Sequence, residues 1–144
     1  MTLPALLRVG SLEILGALAL FGVVAARVRA EPPEPPRPAA IELVVHESPA
    51  RGGSREQRIV LPVNASAVIG RSSDAAVGIL DPEVSRSHAA FSLNHGVVYL
   101  ADLGSSNGTF LNGKRVDRGG IEVLAGDAID VGTTRITVSE IEPA

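Results

Sequence analysis

The stretch that decides the fold is residues 84–113, which read VSRSHAAFSLNHGVVYLADLGSSNGTFLNG. Short apolar runs alternate here with clusters of glycine, asparagine and serine, the residues that favour tight turns. Short runs bounded by such turns are typical of β-strands. Asn112-Gly113 between two of the runs is the dipeptide preferred in a two-residue β-hairpin turn. The stretch therefore predicts antiparallel strands joined by tight turns.

The same pattern continues on both sides, from residue 41 to the end of the chain. No window of 11 or more residues after Ala40 shows the helical period of apolar positions. Strands are predicted at 41–45, 57–61, 65–69, 77–80, 89–93, 97–101, 109–111, 115–116, 121–124, 128–131 and 135–139. About eleven short strands in this length indicate an all-β fold, an antiparallel β-sandwich over residues 41–144.

The N-terminal segment has a different character. Only Glu13 is charged between Arg8 and Arg27, and about 18 residues at helical rise span roughly 27 Å, close to a bilayer core. Residues 1–29 are therefore expected to form one transmembrane helix, with Arg27 and Arg29 favouring a cytoplasmic C-terminal side. The alternative is a cleaved secretory signal, which would export the rest of the chain.

A proline-rich linker is expected next. Residues 30–40 read AEPPEPPRPAA and hold half of the chain's 10 prolines. Such a run cannot form a packed core and favours the extended polyproline II conformation. The predicted organisation is therefore an anchor at 1–29, a stiff spacer at 30–40 and a β-sandwich at 41–144.

The composition excludes several classes of function. With 13 basic and 16 acidic residues the net charge is −3, unlike the strongly basic footprint of a nucleic-acid-binding protein. The absence of cysteine excludes disulfides, thiol nucleophiles and cysteine-containing zinc sites. The 3 histidines leave little material for a metal centre, so neither metal nor cofactor is expected.

The candidate chemistry lies in loops. Residues 70–73, 84–88 and 104–109 offer arginine guanidinium groups, serine hydroxyls, an asparagine amide and backbone N–H groups. These groups suit a phosphate monoester, because arginine binds it as a charged fork and the other donors take the remaining oxygens. Catalysis is not expected: no placed aspartate completes a triad with Ser85 or Ser87 and His88.

The ordered set of motifs resembles the forkhead-associated (FHA) domain over essentially all of residues 41–140. The motifs that carry the resemblance are Gly70-Arg71, Asp74, Val84-Ser85-Arg86-Ser87-His88-Ala89, Asp102-Leu103-Gly104-Ser105-Ser106-Asn107-Gly108-Thr109-Phe110, Leu111-Asn112-Gly113, Leu124 and Gly126-Asp127. The resemblance implies an eleven-strand β-sandwich that recognises phosphothreonine peptides.

The resemblance also implies roles for particular residues. Arg71 matches the arginine that pairs with the phosphate, and Ser85 matches the serine that holds it. Arg86 occupies a position that often adds phosphate or peptide contacts. Ser106 stands where many members have threonine, and Asn107 matches the asparagine that fastens the peptide main chain. Support of the binding loops is expected from a further set of residues: Gly70, His88, Gly108, Asn112 and Gly113.

The sequence as a whole predicts a membrane-tethered, non-enzymatic signalling adaptor. Its expected partner is a phosphothreonine-containing protein, either a Ser/Thr protein kinase or a kinase substrate, with the domain in the cytoplasm. The alternative is a secreted or surface β-sandwich that has a structural role and no phosphate dependence. Residues 41–144 hold nine basic and thirteen acidic residues, so attraction for a phosphate must be local, with Arg71 at its centre.

Overall fold

The computed structural model describes residues 38–47, 52–62 and 65–142, which form eleven β-strands. The first six are β1 (Ala39–His46), β2 (Ser54–Leu61), β3 (Ser66–Gly70), β4 (Val77–Gly78), β5 (Ala89–Asn94) and β6 (Val97–Asp102). The other five are β7 (Thr109–Leu111), β8 (Lys114–Val116), β9 (Ile121–Glu122), β10 (Ala128–Val131) and β11 (Thr134–Glu142). The predicted all-β fold of about eleven strands is confirmed.

The strands form two sheets. The six-stranded sheet has the order β2-β1-β11-β10-β7-β8, and the five-stranded sheet has the order β4-β3-β5-β6-β9. One pairing differs from the predicted antiparallel arrangement: β3 and β4 run parallel, with Ile69 opposite Val77 and Gly70 opposite Gly78. Six residues, 71–76, connect the two strands. The two residues of β4 therefore lie beside the last two residues of β3 and run in the same direction.

The core lies between the two sheets and is formed by the inward-facing residues of alternating strands. In β1, for example, Ile41, Leu43 and Val45 are buried, whereas the intervening positions are more exposed. Phe91 at the centre of β5 is the largest fully buried side chain. Full burial of each such side chain contributes about 1.5–3 kcal/mol to folding.

Strand β1 begins at Ala39, inside the segment predicted as linker. Ala39 and Ala40 are 1% and 7% exposed, because they pair with β2 and Ala40 also pairs with β11. The rest of the predicted spacer, up to residue 37, and the predicted anchor at 1–29 lie outside the described residues. Within the described residues there is no helix long and apolar enough to cross a bilayer.

The strand registers place five of the fully described loops at one end of the sandwich, here called the loop pole. These are the loops that follow β3, β4, β6, β8 and β10: 71–76, 79–88, 103–108, 117–120 and 132–133. Ala40 pairs with Glu142, so the described chain enters β1 and leaves β11 at the opposite pole. The residues with candidate chemistry therefore face away from the point where the chain enters the sandwich.

Candidate functional site

An open pocket of about 350 Å³ lies at the loop pole. It is lined by residues of the loops that follow β3, β4 and β6: Arg71, Pro82, Glu83, Val84, Ser85, Arg86, Ser106 and Asn107. We call this the pole pocket. It brings together all five residues that the sequence predicts as phosphopeptide-binding. They come from three separate loops, so only the sandwich topology makes them neighbours.

Arg71 is held at the end of β3 by two hydrogen bonds to the loop before β5. Its backbone N–H donates to the Ser85 carbonyl oxygen at 3.0 Å, and its Nε donates to the Val84 carbonyl oxygen at 3.1 Å. Its terminal nitrogens, Nη1 and Nη2, bond to none of the described residues. The guanidinium group is thus fixed at its base and leaves its outer edge open for an anion.

The two serines of the pocket are linked to each other. Ser85 Oγ accepts a hydrogen bond from the Ser106 backbone N–H at 3.2 Å and donates to no described residue. The proton of that hydroxyl is therefore available to an oxygen of a bound anion. The Arg86 side chain is exposed and has neither a hydrogen bond nor an ion pair with any described residue, so the pocket has a second open cation.

His88 is fully buried beneath the pocket and ties its loops together. Its Nδ1 accepts from the Ser85 backbone N–H at 3.0 Å, and its Nε2 lies 2.9 Å from the Gly108 carbonyl oxygen. This pattern requires a neutral ring with the proton on Nε2. Its own backbone bonds to the Ile69 carbonyl oxygen and the Leu103 N–H, each at 2.9 Å. The buried His88 ring therefore connects the backbone at Ser85 to the backbone at Gly108, the residue after Asn107.

Asn107 is held by a residue that sequence reasoning did not assign to the site. Its Nδ2 lies 2.8 Å from the Glu83 carbonyl oxygen and 2.9 Å from Glu83 Oε2. Glu83 thus brings a carboxylate to the edge of a pocket that otherwise offers cations and neutral donors. Its position two residues before Ser85 in the same loop is the only sequence signal that could have indicated it.

Asp102 organises the 103–108 loop from within. Its Oδ1 accepts from Ser105 Oγ at 2.5 Å and Thr109 Oγ1 at 2.7 Å, and its Oδ2 accepts from the N–H groups of Gly104 and Ser105. Partial burial tends to raise the pKa of Asp102, but these hydrogen bonds outweigh burial and lower that pKa below its usual range. The ionised carboxylate is therefore part of the loop structure.

Asp81 has the same role between the 79–88 loop and the turn after β10. It is 1% exposed and accepts hydrogen bonds from the Glu83 N–H, from the N–H and hydroxyl of Thr133, and from the Thr134 hydroxyl. Burial acts to raise the pKa of Asp81, and the hydrogen bonds from Thr133, Glu83 and Thr134 reverse that effect and lower it. Sequence reasoning assigned neither Asp81 nor Asp102 to loop support.

Two of the predicted supporting glycines lie close to the pole pocket. A Cβ built on Gly70 would lie 2.1 Å from the Arg86 carbonyl oxygen, so only glycine allows this approach of β3 to the 79–88 loop. Gly108 is buried, donates its N–H to Ser105 Oγ at 2.9 Å and presents its carbonyl oxygen to His88.

Asn112 and Gly113 lie elsewhere, and their predicted support of the binding loops is corrected here. They form the two-residue turn between β7 and β8, with φ of 48° and 81°. This turn lies at the opposite pole, because β7 starts at the loop pole and runs away from it. Asn112 binds Asp127 and the N–H of Ala128 there, at 2.8 and 2.9 Å. They stabilise that hairpin and its neighbour β10, not the pocket.

The described residues contain no group of three or more histidine, aspartate or glutamate side chains placed to hold a metal ion. The pocket's donors are instead guanidinium, hydroxyl and amide groups, which bind anions directly.

The comparisons with known proteins agree on one family. A sequence model described as the FHA domain matches residues 67–132. The FHA domain-containing protein FhaB of Mycobacterium tuberculosis is 34% identical over 128 residues, which cover 88% of this chain and 74% of FhaB. The glycogen accumulation regulator GarA of Mycolicibacterium smegmatis is 37% identical over 87 residues, 60% of this chain. The match spans only 52% of GarA, about half its length.

A solved structure from a study of phosphothreonine-dependent FHA domain interactions superimposes with a TM-score of 0.54 at 30% identity. It covers 69% of this chain and 96% of that one. The likeness therefore spans nearly all of the solved chain. The residues matched by the family model include all those that line the pole pocket.

Proposed function

This chain belongs to the FHA domain family, and from that premise we propose that it is a non-enzymatic module that recognises phosphothreonine peptides through the pole pocket. One observation carries the proposal: the open edge of the Arg71 guanidinium, the Ser85 hydroxyl and the Asn107 amide line the same pocket. This set binds a phosphate ester and a peptide main chain and has no means of breaking a bond.

The phosphate is held by charge and by hydroxyl donors together. A phosphorylated threonine carries about −1.5 to −2 charges at neutral pH. Because residues 41–144 are net negative, binding depends on the local cations Arg71 and Arg86. Arg71 supplies a two-pronged contact from its terminal nitrogens, and Ser85 donates its free hydroxyl proton to a third oxygen.

The preference for threonine over serine is assigned to the apolar part of the pocket. Val84 and Pro82 line the pocket next to Ser85, and Val84 is itself buried. A threonine methyl group placed against this wall loses contact with water, whereas phosphoserine has no methyl group to bury there. Burial of one methyl group contributes about 0.8 kcal/mol, roughly a fourfold preference.

The proposal includes membrane tethering and a cytoplasmic location. It is supported by the uncharged stretch between Glu13 and Arg27 and by the basic residues that follow it. It is also supported by the position of the start of β1, which lies at the pole of the sandwich opposite the pocket. Protease treatment of intact and opened cells tests the location: the domain should be cut only in opened cells, and cleavage in intact cells would contradict it.

Binding itself is tested by titrating the full chain with one peptide in phosphothreonine, phosphoserine and unphosphorylated forms. The phosphothreonine form should bind most tightly, and Arg71→Ala should weaken it by about 2–5 kcal/mol, at least 30-fold. Arg58→Ala is the matched control, because Arg58 is an exposed arginine paired with Glu42 and Glu142 on the outer face of the six-stranded sheet. Equal affinity for the phosphorylated and unphosphorylated peptides would refute the proposed function.

A further inference from the structure

Two guanidinium groups lie against the 103–108 loop but do not line the pole pocket. A Cβ built on Gly104 would lie 2.6 Å from Arg118 Nη2, and a Cβ built on Gly108 would lie 3.5 Å from Arg115 Cζ. Arg115 belongs to β8, and Arg118 belongs to the turn between β8 and β9. Both cations therefore contact the loop that carries Asn107.

Neither cation is neutralised by the described part of the chain. Arg115 and Arg118 are exposed, and their side chains form no ion pair or hydrogen bond with any described residue. The nearby Asp102 carboxylate is occupied, since both of its oxygens accept hydrogen bonds from residues of its own loop or from Thr109. Asp117 accepts the N–H of Gly119 in its own turn. By contrast, the exposed arginines of the outer sheet face, Arg58 and Arg135, are both paired with carboxylates.

The strand order of the five-stranded sheet gives the distance between Arg118 and the pocket. The five-stranded sheet has the order β4-β3-β5-β6-β9, so Arg71 follows β3 near one edge and the turn with Arg118 leads into β9 at the other edge. Three strand spacings of about 4.8 Å give roughly 14 Å, which is about four residues of extended peptide. The 103–108 loop, with Asn107 at the pocket side, lies between the two ends.

We propose that Arg115 and Arg118 form a second anion-binding surface that selects acidic residues about three to five positions to one side of the phosphothreonine. The inference rests on the proposed function of the pole pocket and specifies its peptide class. A peptide held by Arg71 and fastened at Asn107 passes over the loop and brings its carboxylates to two cations that have no side-chain partner among the described residues. This second surface therefore adds a preference for acidic peptides that the pole pocket alone does not supply.

The test uses the full chain and three phosphothreonine peptides of otherwise identical sequence. One has aspartates at positions three to five before the phosphothreonine, one has them at the same positions after it, and one has asparagines at all six. The variants are the double substitution Arg115→Gln/Arg118→Gln and the control Lys114→Gln, which removes an exposed charge at the far end of β8.

The wild-type chain should prefer one acidic peptide over the neutral peptide by about 3- to 10-fold, as exposed charge pairs allow. The double variant should lose most of this preference, Lys114→Gln should keep it, and about 0.5 M salt should reduce it for the wild type. Binding of the neutral phosphopeptide should change little in either variant.

Two results overturn the inference and are separable from failure of the proposed function. Equal binding of the three phosphopeptides, or a preference that persists in the double variant, refutes the second surface and leaves phosphothreonine recognition intact. If none of the three phosphopeptides binds the wild-type chain, the pole pocket does not have its proposed function and the inference that rests on it falls too.

Discussion

The side-chain amide of Asn107 donates to Glu83 twice, to the carbonyl oxygen at 2.8 Å and to the carboxylate Oε2 at 2.9 Å. Both amide protons are thus used in the free domain, whereas Asn107 Oδ1 accepts no hydrogen bond from the described residues. The free oxygen is the part of the amide that is ready to accept a peptide N–H. The same contact holds a carboxylate at the edge of a pocket proposed to bind a dianion.

Substitution of Glu83→Gln should strengthen binding of a phosphothreonine peptide by about 2- to 5-fold. Glutamine keeps an oxygen that can accept from Asn107 but removes the negative charge that opposes the phosphate, an effect of about 0.5–1 kcal/mol at an exposed site. Calorimetric titration measures it, with Glu122→Gln as the control for net charge, since exposed Glu122 lies outside the pocket. Weaker binding of the Glu83 variant would show that the charge is needed to orient Asn107.

Substitution of His88→Ala should lower the free energy of unfolding by about 3 kcal/mol or more. The change leaves the Ser85 N–H and the Gly108 carbonyl oxygen without their partner and opens a cavity in a fully buried position. Urea denaturation measures it. His95→Asn is the control, because His95 is exposed, has a φ of 49° and occupies a turn position that asparagine tolerates. Equal stability of the two variants would contradict the role given to His88.

Substitution of Gly70→Ala should destabilise the domain by about 2–4 kcal/mol and weaken peptide binding. The new Cβ would lie 2.1 Å from the Arg86 carbonyl oxygen, so the backbone between Ser85 and Arg86 must move away from β3. Gly78→Ala is the matched control, because a Cβ there meets nothing within 4 Å. Thermal unfolding of both variants checks the prediction. A Gly70→Ala variant as stable as the wild type would refute it.

Stability should fall at acid pH because Asp81 and Asp102 have a lowered pKa in the folded domain. A carboxylate with a folded pKa below its unfolded value of 3.8 stabilises the fold at higher pH. That contribution is lost as the pH falls below about 4 and through the lowered folded pKa. Urea unfolding at pH 7, 5, 4 and 3 measures the decline, which should be shallower in Asp81→Asn. Parallel curves for the variant and the wild type would contradict the assignment.

Much of the fold could be predicted from local sequence because local chemistry decides it. The observed strands β7 and β10 have the predicted bounds, and Asn112-Gly113 forms the predicted turn, since both of its residues tolerate a positive φ. The parallel pairing of β4 was not predicted, because two residues are too few to carry a pattern and their partner in β3 is chosen by the path of the loop between them.

The sequence by itself determined the class of the fold, the types of residue available for binding an anion and the family to which their order points. Only the tertiary structure decided which loops share a pole, that Glu83 holds Asn107 across 24 positions of the chain, and that Asp81 holds the turn at Thr133 across 52. It also showed that Asn112 and Gly113 lie at the pole opposite the binding loops. Arg115 and Arg118, in contrast, lie against the 103–108 loop. The physical reason is that turn and strand preferences act over a few neighbouring residues. The site, in contrast, is made of contacts between loops that meet only when the two sheets close on their common core.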